Sequence, residues 1–378
     1  MAPIRVGALL PDFLIKQLIA DGHLGIPEDD VSACSVDLRV GTKVLQIRGL
    51  PDLAGGFNPS VFASSCYNKF SSSQIQKGIT LTSGPNTYMI ELDVQLNLPP
   101  GVWMETDARS STGRIDVQCQ VLGLGSTRVN RIPPGSKGSK PYLFVTSGSF
   151  AITIKSGDSL VQARLFEGER AHLSNVELRR LHAEHGIIEN HDVEPVIEDG
   201  ALVLHLDLSK DPPGFSAIDE GQTLVIGESG TCDPTRYFRP KPVEPDGRMR
   251  LAPGEFILVA TRERVRIPPL TAGALRAYQD EHGEYRAHLA SWFERGFGFG
   301  LEGECSGNVA VCEIRNKSMA PIFMSDGQAL GKLTYEYLAC EPEQVYGAYR
   351  ADGQYLDQKV ILLPRFFTPW PVASAQAS

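Results

Sequence analysis

The sequence predicts a mainly β fold made of two tandem copies of one small barrel or sandwich. Two observations carry this reading. Short apolar runs with period-two alternation recur along the 378 residues, separated by Gly, Pro and Asp, which is the pattern of short strands joined by turns. The chain also matches itself at a nearly constant shift. Leu81-Thr-Ser-Gly84 aligns with Leu251-Ala-Pro-Gly254 at a shift of 170, and Pro99-Pro100 with Pro268-Pro269 at 169. Val36-Asp37-Leu38 aligns with Leu206-Asp207-Leu208 at 170, and the block ending at Glu167 with the block ending at Glu336 at 169. The join falls near Gly168 to His172, so the expected units are 1–168 and 169–378.

Each half opens on a short helix. In the first, Asp12 is the expected N-cap, Leu14, Ile15, Leu18 and Ile19 the apolar face, and Gly22 the stop. In the second, Ser174 or Asn175 caps Val176 to His185 and Gly186 stops it. Strands follow at Ser35–Val40, Tyr88–Leu98, Phe150–Ile154 and Leu160–Phe166, then at Leu202–Leu208, Phe256–Ile267, Val309–Ile314 and Ala329–Tyr335. Pro99 to Trp103 reads as a strand end just ahead of Arg109. Gly296-Phe-Gly-Phe-Gly300 follows no strand-to-helix pattern and reads as a hairpin loop or bulge, not as a dinucleotide fingerprint.

Composition narrows the function. Apolar residues make up 42% and charged residues 21%, a globular balance, and the formal net charge is −9. An acidic chain without a basic stripe is a poor partner for a nucleic-acid polymer. The N-terminus, with Pro3 and Asp12, lacks the apolar core of a secretory signal, and no run is long enough to span a membrane. The seven cysteines are scattered, none in a C-x-x-C pair, which fits reduced thiols in a cytoplasm and argues against structural zinc.

Within this acidic chain, Arg109-Ser-Ser-Thr-Gly-Arg114 concentrates two guanidiniums and three hydroxyls. Guanidiniums grip phosphate oxygens in pairs, and short hydroxyls add compact donors, so the stretch predicts a polyphosphate pocket. In the second copy, Arg109, Ser110 and Ser111 fall on Tyr278, Gln279 and Asp280, and that chemistry is lost. Conversely, Glu313 interrupts the apolar run Val309-Ala-Val-Cys-Glu-Ile314 where the first copy has Phe144. A carboxylate there is either buried, with its pKa pushed toward the range of a general acid or base, or exposed on an edge strand; alternation allows both. One copy keeps an anion site and the other an isolated acid, so a composite site shared by the two halves is expected.

These residues resemble the dCTP deaminases of the long, tandem-duplicated bacterial type, within the dUTPase-like superfamily. Ser35-Val-Asp-Leu-Arg-Val-Gly41 resembles the family's S-x-D-(L/V)-R-(L/V)-G strand, and Arg109–Arg114 its R-S-S-x-x-R motif. Val311-Cys-Glu-Ile-Arg-Asn316 resembles V-x-E-(F/x)-x-N, Asp326 to Glu336 the following P-G-x-x-I-G-x-L-x-F-E stretch, and Gln354-Tyr-Leu-Asp-Gln358 the C-terminal K-Y-x-x-Q segment. The resemblance implies two dUTPase-like distorted β-barrels with short helices. It also implies hydrolysis of dCTP to dUTP and ammonia, supplying dUTP for thymidylate synthesis in the cytoplasm.

By the same resemblance, Arg109, Ser110 and Ser111 hold the triphosphate, Arg114 lies near the base, and Glu313 takes the proton from water attacking cytosine C4. Ser291 and Trp292 are the candidates for the base-reading hairpin, and Tyr346, Gln354 and Gln358 for a C-terminal lid over the phosphates. Mg²⁺ is expected only on the triphosphate, with no zinc: the H-x-E…P-C-x-x-C pattern is missing, and His182-Ala-Glu184 is an exposed helix face. A homo-oligomer and inhibition by dTTP are further expectations. This chain departs from the family at Thr112-Gly113, where short members carry Leu-Ala, and at Gln354, where they carry Lys. Two alternatives stay open. One is a dUTP diphosphatase or bifunctional enzyme, for which Glu294 is a poor match to the expected hairpin Asp. The other is a non-catalytic nucleotide-binding protein.

Overall fold

A computed structural model describes residues 7–189, 193–218, 223–277, 285–288, 292–347, 355 and 357–371. Short antiparallel strands dominate, and the strand order repeats between the halves. In the first half the order is Val117–Leu122, Tyr142–Ser147, Thr87–Leu92, Val36–Ile47, Ser159–Glu167, Val102–Ala108 and Arg131–Ile132. The second half divides the same order between two sheets. Tyr285–His288, Asn308–Asn316, Phe256–Val265 and Gly214–Ala217, with Phe238–Pro240 at the edge, form one; Ala201–His205, Ala329–Tyr337 and Thr271–Ala277 form the centre of the other. Even the register is kept: Phe144 pairs with Met89, and Glu313 with Leu258, both 169 residues further on.

Local signals place most elements. The helix Asn175–His185 begins with Ser174 as N-cap in a reciprocal capping box with Glu177, and ends at Gly186 with φ 69°. The first helix, Asp12–Ala20, differs from the expectation. Pro11 is its N-cap, and Asp12 is fully buried, with its Oδ1 accepting the Glu343 amide from the other half at 3.0 Å. A tertiary contact has taken the side chain that local sequence assigns to the cap. The expected strand Tyr88–Leu98 is divided into Thr87–Leu92 and Gln95–Asn97. Pro99 to Gly101 is a turn that starts a strand, Val102–Ala108, and that strand delivers Arg109.

The halves share their interior. One apolar cluster joins Val36, Ile90, Val145 and Leu165 of the first half with Phe256, Leu258, Val309 and Phe366 of the second. Ala151–Ile154 pairs in parallel with Thr223–Val225, a strand contact across the halves. Arg164, fully buried, donates to the carbonyls of Gly273 and Phe293 and faces Glu336 at 3.4 Å. No helix among the described residues is long and apolar enough to cross a membrane.

Candidate active site

The strand Val102–Ala108 runs into a single helical turn, Ser110–Gly113, and this turn sets the Arg109–Arg114 loop. The Arg109 amide donates to Leu160 O at 3.0 Å, and the amides of Thr112 and Gly113 return to Arg109 O. Asp116 closes the loop at φ 59°, a left-handed conformation that Asp tolerates better than most residues. The result buries Ser111 and Arg114 and leaves Arg109 and Ser110 partly exposed. Arg109 reaches Asp37 Oδ2 at 3.0 Å, so the aspartate of the early S-x-D strand holds the first arginine of the loop.

Glu313 comes from the second half. Its strand, Asn308–Asn316, is central, flanked by Phe256–Val265 and Tyr285–His288, so the edge-strand alternative is excluded. The structure brings Arg114 Nε to 3.9 Å from Glu313 Oε1, with both side chains buried. That separation is too long for a direct hydrogen bond. Arg114 Nε and Glu313 Oε2 are buried and have no hydrogen-bond partner among the described residues. A buried polar atom left in this state costs about 1–3 kcal/mol, and such atoms gather where a ligand completes the bonding. Burial pushes the Glu313 carboxyl up to about 8, against the opposing pull of the Arg114 guanidinium. Asp107, at the end of the delivering strand, pushes in the same direction as burial.

Arg114 is positioned by the C-terminal segment. Its Nη1 donates to Gln358 Oε1 at 3.0 Å and to Leu362 O at 2.6 Å, and its guanidinium stacks 4.0 Å from the centre of the Tyr355 ring. Gln358 Nε2 donates to Val309 O at 2.7 Å, four residues before Glu313, and its amide donates to Asn308 Oδ1. Gln358 thus ties the arginine of one half to the acid strand of the other. Burial raises the Tyr355 hydroxyl above its usual range, opposed by Arg114; Arg365 and Arg109 also lie near enough to act on it. The Tyr355 hydroxyl and Thr112 Oγ1 are likewise buried without a hydrogen-bond partner among the described residues.

Trp292, Tyr346 and Glu294 make other contacts. Trp292 stacks on Arg164 at 4.8 Å, in the contact between the halves. Tyr346 packs edge-on against Phe297. Glu294 is buried and accepts from Ser35 Oγ at 2.6 Å, which commits it to the inter-half contact. Ser291 and Gln354 lie outside the described residues, as do Tyr278, Gln279 and Asp280. His182 accepts from the Ile187 amide and Glu184 faces Arg180, an ordinary helix end. Sequence reasoning missed Tyr355, Arg365, Asn308 and Asp37 as site residues. At the repeat-equivalent of Glu313, Phe144 packs edge-on against Phe57 at 5.5 Å and beside Phe62, so aromatic side chains fill that position in the first half.

The N-terminal domain model of 2'-deoxycytidine 5'-triphosphate deaminase matches residues 6–169, and its C-terminal domain model matches residues 174–367. The chain belongs to the dCTP deaminase family. A "dCTP deaminase, dUMP-forming" of Methanosphaera stadtmanae is 23% identical over 185 residues, 46% of this chain and 89% of that protein. One of the same description from Beutenbergia cavernae is 28% identical over 147 residues, 38% of this chain and 71% of its own. The crystal structure of 2'-deoxycytidine 5'-triphosphate deaminase from Agrobacterium tumefaciens superposes with a TM-score of 0.80 at 26% identity, covering 88% of this chain and all of that one. The two family models meet between Arg109–Arg114 and Glu313, so each contributes one side of the cluster just described.

Proposed function

We propose that the chain deaminates dCTP at a site built between two halves, 1–168 and 169–378, with Glu313 as the proton carrier. The observation that supports this reading is the buried pair Arg114–Glu313, held 3.9 Å apart with a polar atom of each unpartnered. Water attacks C4 of the cytosine ring, and the C4–N bond to the amino group breaks. Of the water's two protons, one ends on ring N3 and the other on the departing ammonia. A carboxyl whose pKa lies at about 8 keeps both forms within about tenfold of each other at neutral pH and can take and return each proton in turn. Arg114 fixes the carboxylate and offers its free Nε toward the reacting groups. Holding water against C4 in a buried site supplies orientation and a low-dielectric setting.

Arg109, Ser110 and Ser111 hold the triphosphate, with Arg365 as a further cation on that side. Asp37 is engaged by Arg109, and among the described residues no group of three or more His, Cys, Asp or Glu is placed to bind a metal. Mg²⁺ would ride on the nucleotide phosphates, where it would shield their charge. The close engagement of Gln358 with Arg114 and Asn308 makes it a positioning residue as well as a phosphate-side candidate.

A second reading concerns the product. The relatives from Methanosphaera and Beutenbergia are described as dUMP-forming, which favours continued hydrolysis to dUMP and pyrophosphate. Incubation with dCTP separates the outcomes. Ammonia with dUTP supports deamination alone, ammonia with dUMP and pyrophosphate supports both steps, and nucleotide binding without ammonia overturns the deaminase reading.

A further inference from the structure

Apart from the cluster around Glu313, a cleft of about 370 Å³ is lined by Ser149 and Arg315, both of which bind Asp116 at the end of the Arg109–Asp116 loop. Its size lies within the range of about 300–1,000 Å³ typical of small-ligand sites. Four cations line it, Arg239, Lys241, Arg250 and Arg315, with one carboxylate, Glu255. Glu255 is already saturated. It takes Lys241 Nζ at 2.6 Å and Ser216 Oγ at 2.7 Å on Oε1, and the Ala252 amide at 2.8 Å on Oε2. Arg239 and Arg250 are exposed, and neither forms an ion pair with a described residue. A convergent excess of positive charge in a protein of net charge −9 is a local anion trap. Ala217 and Pro253 give the cleft a small apolar wall.

The cleft is coupled to the catalytic cluster by position. Arg315 lies two residues after Glu313 on the same strand, and its guanidinium pairs with Asp116, two residues after Arg114. Arg315 also donates to Gly254 O at 2.8 Å, at the cleft's turn, so one side chain touches both places. We propose that this cleft is a second phosphate-binding site, for a polyphosphate chain, distinct from the triphosphate grip at Arg109–Ser111. Arg239 and Arg250 clamp the chain, Lys241 adds charge, and Arg315 passes occupancy to the Asp116 end of the loop. The assignment rests on the proposed function only in naming the first site.

Calorimetric titration of the full chain with sodium tripolyphosphate tests it. Wild type should bind two equivalents, with affinity at the second site falling as salt rises. Arg239→Ala/Arg250→Ala should bind at that site at least about tenfold more weakly, from the loss of two charge-assisted contacts. The same variant should release ammonia from dCTP at the wild-type rate, which also shows that it is folded. Arg239→Lys/Arg250→Lys should retain most of the second binding. Titration with dATP beside tripolyphosphate identifies the source of the chain: tighter dATP binding points to a nucleotide, equal affinity to the bare polyanion. One equivalent in wild type, or no change in the Ala variant, overturns the proposal. Absence of ammonia release by wild type would instead count against the deaminase reading and leave the stoichiometry at the cleft standing.

Discussion

Arg114 Nε and Glu313 Oε1 stand 3.9 Å apart inside the protein, brought together from opposite halves of the chain. They are close enough for the guanidinium to pull on the titration of the carboxyl and too far apart for a direct hydrogen bond.

Glu313→Gln keeps the shape of the acid and removes its proton. Turnover of dCTP should fall by about 10²–10⁴-fold, the usual worth of a positioned acid–base group, while dCTP affinity changes only a few-fold. Ammonia release and equilibrium binding check the two halves of this statement. A variant retaining a tenth of wild-type turnover would remove Glu313 from the mechanism.

The base form of Glu313 is the carboxylate, and burial holds its pKa at about 8. The kcat/KM for dCTP should therefore rise with pH through about 8 and level above it. A profile already flat from pH ~6 upward would mean that the acid needed for reaction is another group.

The same shift has a consequence for stability. A carboxyl raised from 4.5 to about 8 makes the folded protein bind more protons than the unfolded chain between those values. Stability therefore falls as pH rises across that window. Glu313→Gln lacks this penalty. Its thermal midpoint should gain on wild type progressively between pH ~5 and ~8, by an amount worth up to a few kcal/mol, and gain no more above. A difference that does not vary with pH contradicts the assigned burial cost.

Gln358→Ala frees Arg114 from one of its two acceptors and unties Val309. We expect kcat to drop by about 10–100-fold, from the loss of hydrogen bonds worth roughly 1–3 kcal/mol. A loosened Arg114 opposes the burial of Glu313 less well, so the ascending limb of the pH profile should move upward. A drop in kcat with an unmoved limb would limit Gln358 to a packing role.

Asp116 is buried, and Arg315 and Ser149 bind its carboxylate. Arg315→Ala removes the cation paired with that buried carboxylate and should destabilise the protein by about 3–5 kcal/mol. Adding Asp116→Asn should restore most of the loss, as read from thermal midpoints. A double variant as unstable as the single one would show that the arginine acts through packing alone.

Much of this fold was legible in the sequence because duplication preserves register. The 169-residue shift between Phe144 and Glu313 reappears in their strand partners, Met89 and Leu258. The Ser174 cap and its Glu177 partner are local, so they could be read directly. Asp12 could not, since its partner is the amide of Glu343 in the other half. Glu313 was ambiguous for a different reason: a strand buried on both faces shows no alternation. Tyr355 lies in the K-Y-x-x-Q-like segment and Arg365 in no motif; only the packing of the C-terminal segment onto Arg114 reveals what the two side chains do. The contact of Trp292 could not be read either, since the buried cation under its ring, Arg164, comes from the other half.

One chain supplies both sides of the site. Arg114→Gln and Glu313→Gln, each inactive alone, can be produced together in one cell and purified as mixed assemblies. The mixture should release no more ammonia from dCTP than either variant, since every chain lacks one half of its own pair. Recovery of a substantial share of wild-type turnover would contradict it, because an intact site would then have formed between chains.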